Sequence, residues 1–103
     1  MLLSIVVPCF NEEAMLPLFY KEVMKVVKEL IGTGQTVREV EFIFVDDGSA
    51  DGTLAAVKAL RTSDAQVHFI SFSRNFGKEA AMYAGLRAAR GDLVAVMDVD
   101  LQD

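Results

Sequence analysis

A chain of 103 residues has room for one domain and one core, so residues 1–103 are read as a single unit. Hydrophobic residues make up 52% and charged residues 24%, a balance that excludes intrinsic disorder. The formal net charge is −5 and the ten Lys and Arg are scattered, which leaves no basic stripe for nucleic acid, so none is expected as a partner.

The first apolar run, Leu2 to Val7, is far shorter than the ~20 residues of a membrane span and has no basic segment before it. It reads as a strand, and a soluble chain without a transmembrane helix is expected. The single cysteine, Cys9, can form no internal disulfide and reads as a small buried apolar residue. Leu16, Phe19, Val23, Val26 and Leu30 then recur at steps of three and four, predicting a helix that ends near Gly32. A second strand, Val40 to Val45, runs into the loop DDGSADGT and a helix from Thr53 to Arg61, with Ser49 or Asp51 as cap and Leu54, Val57 and Leu60 inward. A third strand, Val67 to Phe72, leads through SRNFGKE to a helix from Lys78 to Ala89. Its small residues Ala81, Gly85 and Ala88 form a thin face suited to close approach to a sheet. The fourth strand, Leu93 to Met97, precedes DVDLQD. Met15, Met24, Met82 and Met97 read as core filler and His68 as structural.

The order is β-α-β-α-β-α-β, and the first, second and fourth strands are almost continuously apolar, as strands covered on both faces are. This predicts an α/β fold with a Rossmann-like parallel sheet and ligands at the carboxyl ends of the strands. The polar clusters fall at those ends. In DDGSADGT, Asp46 and Asp47 can accept hydrogen bonds from a base or a ribose, or the loop can simply shape a turn and cap a helix. The same loop begins like a calcium loop but has Lys58 where the closing Glu is needed. In DVDLQD, Asp98 and Asp100 point to one side of an extended segment about 7 Å apart, and Gln102 shares that side, an arrangement able to hold a cation and a diphosphate. Phosphatases of the haloacid dehalogenase type also place D-x-D after a strand, with the first Asp as nucleophile, but there the motif opens the fold. Gly32-Thr33-Gly34 lacks the third glycine of a dinucleotide fingerprint, and Gly77-Lys78 is no phosphate loop. Lys78 can still meet an anion at a helix N-terminus, with Arg74 and Asn75 near it in sequence.

Together IVVPCFNEE, FVDDGSADGT, FSRNFGKEAAMYAGL and GDLVAVMDVDLQD follow the order and spacing of family 2 glycosyltransferases with the GT-A fold. The chain resembles the N-terminal, donor-binding half of such a domain, nearest to bacterial polyprenyl-phosphate glycosyltransferases and dolichyl-phosphate mannose synthases. The resemblance implies that Pro8, Phe10, Asn11 and Glu12 line the nucleotide pocket, that Asp46 or Asp47 takes the base, and that Asp98, Asp100 and Gln102 hold Mg²⁺ or Mn²⁺. Lys78 and Asp98 join the nucleotide-binding set. The implied reaction is inverting transfer of a hexose from a nucleotide diphosphate sugar, UDP-glucose favoured, to a polyprenyl phosphate at the cytoplasmic face of a membrane. Family members continue past D-x-D into an acceptor half, so this chain alone is expected to be inactive and prone to self-association. A donor-binding module without activity is the other reading, beside the phosphatase.

Overall fold

The computed structural model describes residues 1–34 and 36–99. Strands β1 (Leu2–Cys9), β2 (Glu39–Asp46), β3 (Val67–Ser71) and β4 (Leu93–Val96) alternate with helices α1 (Leu16–Gly32), α2 (Thr53–Ser63) and α3 (Lys78–Ala88). All three strand pairings are parallel, and the order across the sheet is β3-β2-β1-β4. The chain therefore builds outward from β1 through β2 to β3, then returns to add β4 on the other side of β1. That reversal creates a crevice at the carboxyl ends of β1 and β4, where open α/β sheets bind ligands.

Successive residues of a strand point to opposite faces, and the two faces have separate cores. Ile5, Val7 and Cys9 from β1, Phe42 and Phe44 from β2, and Val67 from β3 face α1 and α2, where they meet Leu16, Phe19, Val23, Val27 and Val57. Phe42 and Phe44 stack with ring centroids 5.8 Å apart, and Phe19 approaches Phe44 edge-on at 6.4 Å. Val6, Ile43 and Val45 face α3, which meets them through Ala81. A Cβ added at Gly85 would lie 2.3 Å from Val6 Cγ1, so this helix can sit so close only with glycine there.

Four expectations need correction. In α1 the inner place beyond Val23 is taken by Val27, while Val26 and Leu30 stay 63% and 41% exposed. These two border an apolar groove formed with Leu3, Ile5, Ala95 and Met97 beside β4. In α3 Ala88 is exposed, and Ala84 and Ala89 take the sheet-facing role with Ala81. Met15 is exposed instead of filling the core. In β4, at the sheet edge, Leu93, Val94 and Val96 are exposed, because a strand bordered on one side only is not covered as β1 and β2 are.

A buried polar network closes the amino-terminal end of the sheet. Glu41, 4% exposed, accepts hydrogen bonds from Ser4 Oγ at 2.6 Å and the Arg90 backbone N–H at 2.8 Å. The Gly91 N–H donates to Ser4 Oγ, and His68 Nε2 lies 3.7 Å from Glu41 Oε1. His68 is structural, as expected, but through a partner distant in sequence. This network pins the turn between α3 and β4 and so fixes where β4 starts.

Candidate functional site

A cleft of about 220 Å³ opens at the reversal point, lined by Pro8 and Cys9 at the end of β1, Phe10 and Glu12 just after it, Asp47 just after β2, Lys78 from α3, and Asp98 and Val99 following β4. Six residues singled out from sequence, Pro8, Phe10, Glu12, Asp47, Lys78 and Asp98, thus meet in one place. Phe10 stands 45% exposed at the rim, an apolar ring held in water's reach. Cys9, read from the sequence as a small buried apolar residue, and Val99, which the sequence did not single out, also line the cleft. A cysteine one residue past a proline at a strand end was the only hint for the first.

Asn11 and Asp46, also expected in the nucleotide pocket, are not among these lining residues. Asp46 is buried beneath the loop that follows it and takes a 3.4 Å hydrogen bond from the Ser49 N–H. Asn11 has a positive φ of 52° and joins a clasp between the β1–α1 and β2–α2 loops. Its Oδ1 accepts the Ala50 N–H at 2.8 Å and its own N–H donates to Ser49 Oγ at 2.9 Å. The Glu12 N–H donates to Thr53 Oγ1 at 2.8 Å, and Glu13 and Gly52 complete the clasp through Asp51 Oδ2 and Glu13 Oε1. Asp51 Oδ1 accepts the Thr53 N–H at 2.9 Å in a local turn before α2, but the N-cap position is taken by Gly52 with no side-chain cap bond, so neither Ser49 nor Asp51 caps the helix as expected. Hydrogen bonding to Thr53 holds the Asp51 carboxyl below its ordinary range.

Asp47 organises the third loop. Its carboxylate accepts the N–H groups of Phe76 at 2.7 Å and Gly77 at 3.0 Å and the Asn75 amide at 3.1 Å. Asn75 also donates to the Asp47 carbonyl. Arg74 turns away to lie over the Phe76 ring, 4.7 Å from its centroid, and is not among the residues lining the cleft. Of the two cations in SRNFGKE, Lys78 alone is one of the cleft's lining residues. Its Nζ reaches Asp98 Oδ1 at 2.7 Å, with both side chains about half exposed.

The cleft wall is acidic, and Cys9 registers it. Burial, with Asp46, Glu12, Asp47 and Asp51 nearby, pushes its thiol up to about 12. Such a thiol stays protonated and is no nucleophile at neutral pH. For Mg²⁺ or Mn²⁺ the test is the donor chemistry. Asp98 presents a half-exposed carboxylate that already holds a cationic group in the cleft, and hard divalent ions bind through one or two carboxylates, water and substrate phosphates. The residues fit such an ion. Among the described residues no cluster of three metal-ligating side chains is gathered, and Asp100 and Gln102, the other expected ligands, lie outside the described residues.

Comparison with known proteins decides the family. Residues 4–103 match the model of glycosyl transferase family 2. The chain belongs to that family. A relative from Escherichia coli strain K12, a prophage bactoprenol glucosyl transferase homolog, is 50% identical over 103 residues, covering 100% of this chain and 32% of its own length. The chain thus spans about a third of this relative. Staphylococcus aureus TarS residues 1–349, solved in complex with UDP, superposes with a TM-score of 0.77 at 26% identity, over 97% of this chain and 28% of that one. The mannosyltransferase PcManGT of Pyrobaculum calidifontis, solved with GDP-Man and Mn²⁺, gives a TM-score of 0.77 at 24% identity, over 95% and 27%. The four-stranded parallel sheet is that of GT-A glycosyltransferases, as the motifs had implied. Family membership sets the phosphatase reading aside.

Proposed function

We propose that this chain is the donor-binding part of a transferase that moves a hexose, glucose favoured, from a nucleotide diphosphate sugar to a polyprenyl phosphate with inversion at the anomeric carbon. The observation that carries it is the meeting of Pro8, Phe10, Glu12, Asp47, Lys78 and Asp98 at the sheet's reversal point. UDP is favoured because TarS, similar over nearly the whole chain, was solved with it. Glucose and a bactoprenol-type acceptor are favoured by the name of the E. coli relative.

In this reading Pro8 and Phe10 border the nucleoside, with Phe10 offering a ring face for stacking. Asp47 shapes the β3–α3 loop and turns its remaining acceptor capacity to base or ribose, with Asp46 behind it and Asn11 holding the wall. Asp98, with Asp100 and Gln102, would hold Mg²⁺ or Mn²⁺, which when bound supplies charge stabilisation to the diphosphate leaving group. Lys78 contributes a second positive charge to the same leaving group. The acceptor phosphate oxygen forms its bond to the anomeric carbon opposite the diphosphate, whose bond to that carbon breaks. A phosphate nucleophile is already anionic and needs position more than a general base. A cleft of about 220 Å³ is below the roughly 300–1,000 Å³ of a complete ligand site, so the acceptor wall belongs to residues other than these. No helix among the described residues is long and apolar enough to cross a membrane; in this reading the lipid acceptor places the transfer at the cytoplasmic face.

Titration calorimetry with UDP and GDP, with Mn²⁺ and with EDTA, tests the donor site. Metal-dependent binding of one nucleotide is expected; a folded chain that binds neither refutes the reading. Sugar transfer from UDP-glucose to undecaprenyl phosphate is expected only from a protein extended to the relatives' length, and turnover by the 103-residue chain would overturn the division into donor and acceptor halves.

A further inference from the structure

Among the described residues α3 alone covers the sheet face opposite α1 and α2, and this side differs in charge from the rest of the chain. Residues 73–90 hold Arg74, Lys78, Arg87 and Arg90 against one acid, Glu79, a net +3 within a chain of net −5, which leaves −8 for the remainder. We infer that the outward side of α3 and the loop before it dock on an anionic lipid bilayer, with arginines on lipid phosphates and apolar side chains among the headgroups. The choice of a lipid surface rests on the polyprenyl phosphate acceptor of the proposed function.

Packing turns these side chains outward. Ala81 and Gly85 meet the sheet, so Tyr83, Leu86 and Arg87, about 100–160° round the helix from Gly85, face solvent. Phe76, Tyr83 and Leu86 are 53%, 63% and 44% exposed. Phe76 stands on the same side of the sheet, because its ring meets that of Phe72 edge-on at 5.5 Å, and Phe72 packs against the core beneath α3. Both rings carry an arginine. Arg74 lies 4.7 Å from the Phe76 centroid and Arg87 lies 5.7 Å from that of Tyr83. A guanidinium resting on a ring is planar and weakly hydrated, and its edge can still hold a phosphate through two N–H groups. Such pairs suit the headgroup layer, where an apolar body and a charged tip are both satisfied.

Charge alone does not single this face out. On the other side of the sheet α1 exposes Lys21, Lys25 and Lys28 around Tyr20 and Met24. There Glu22 and Glu29 share the helix, Lys25 is paired with Glu22 at 3.5 Å, and the Tyr20 hydroxyl is tied to Asp64. Only the α3 side sets exposed rings under arginines with a single acid among them. A bilayer along α3 also lies beside the cleft, because Lys78, the first residue of the helix, is one of the cleft's lining residues. An acceptor phosphate held in the headgroup layer then enters the cleft at that end.

The test is flotation of the chain with vesicles of phosphatidylcholine, alone or mixed in equal parts with phosphatidylglycerol, at low salt. Binding to the mixed vesicles only is expected. Arg74→Gln with Arg87→Gln should weaken it by roughly fivefold for each arginine. Tyr83→Ser, which keeps every charge, should weaken it severalfold. Lys21→Gln with Lys28→Gln removes the same charge from α1 and should change binding by no more than about twofold. None of these five residues is among those lining the cleft, so UDP affinity with Mn²⁺ should stay unchanged in every variant. Equal losses from the arginine and lysine pairs would mean unspecific attraction and overturn the inference, as would equal binding to both kinds of vesicle. If sedimentation without vesicles shows that Arg87→Gln turns an associating chain into a monomer, a second copy occupies this face and the lipid assignment fails. A wild-type chain that binds UDP with Mn²⁺ but no vesicles overturns this inference alone. One that binds neither UDP nor GDP overturns the donor site instead, and the lipid acceptor with it.

Discussion

The carboxylate of Asp47 holds the backbone N–H of Phe76 at 2.7 Å, across twenty-nine residues of chain. One side chain at the end of β2 thereby sets the path of the loop that delivers Lys78 to the cleft. Asp47→Ala leaves the N–H groups of Phe76 and Gly77 and the Asn75 amide without their acceptor in a largely buried place. The expected cost is about 2–4 kcal/mol, measured by urea unfolding. Nucleotide affinity should fall with it. A loss of nucleoside affinity at unchanged stability would mean that Asp47 contacts ligand without organising the loop.

Gly48 supports the same contact from the other side. Its φ is +70°, and an added Cβ would lie 2.2 Å from the Arg74 carbonyl carbon. Backbone cannot yield as a side-chain tip can, so Gly48→Ala should destabilise by about 2 kcal/mol or more. Gly32→Ala is the control. Nothing lies within 4 Å of a Cβ at that helix end, and it should be neutral or stabilise by up to about 1 kcal/mol. Equal effects in thermal melts would refute the close approach of the two loops.

Thr53 is fully buried, and its hydroxyl accepts the Glu12 N–H at 2.8 Å while donating to Asp51. Thr53→Val keeps the shape and deletes both bonds, orphaning a donor at the cleft wall. We expect a loss of about 1–3 kcal/mol, with Thr53→Ser recovering most of it. Failure of serine to rescue would assign the effect to the lost methyl packing instead.

Stability should fall in alkali. The Cys9 thiol, ordinarily near 9, is held up to about 12 by burial and the surrounding carboxylates. The folded chain therefore keeps a proton that the unfolded chain releases. This contribution is fully present below pH 9 and is lost as pH rises from 9 toward 12, at up to about 1.4 kcal/mol per pH unit. Tyr20, raised by burial and its hydrogen bond to Asp64, acts in the same direction at higher pH. Cys9→Ser should flatten the fall between pH 9 and 10.5 in denaturant titrations. Identical slopes in the two proteins would show that Cys9 does not carry it.

Self-association is expected from the β4 edge. Leu93, Val94 and Val96 are 40–44% exposed there, and Val26 and Leu30 border the apolar groove beside it. Sedimentation of the 103-residue chain should show concentration-dependent growth that Val94→Lys suppresses. A monomer at high concentration would refute this.

Much of the architecture was legible without coordinates, because hydrophobic period is local. Alternation and near-continuous apolar runs identified every strand among the described residues, three- and four-residue steps identified each helix, and the polar clusters fell where strands end. The four linked motifs identified the family by the same kind of reading, residue type at fixed spacing. What the sequence could not determine were relations between segments far apart in the chain. The order β3-β2-β1-β4 depends on which edge of β1 the last strand joins, and that choice makes the cleft and leaves β4 exposed. Asp47 and Asn11 were legible as polar residues at strand ends, yet only the fold revealed that one clamps the β3–α3 loop and the other fastens to Ala50 and Ser49. Val26 and Val27 fit a helix stripe almost equally well, and the packing of α1 against Phe44 and its neighbours decided between them. Periodicity belongs to the single segment; register, burial and the meeting of Lys78 with Asp98 belong to the assembled sheet, where contacts are set by distance in space.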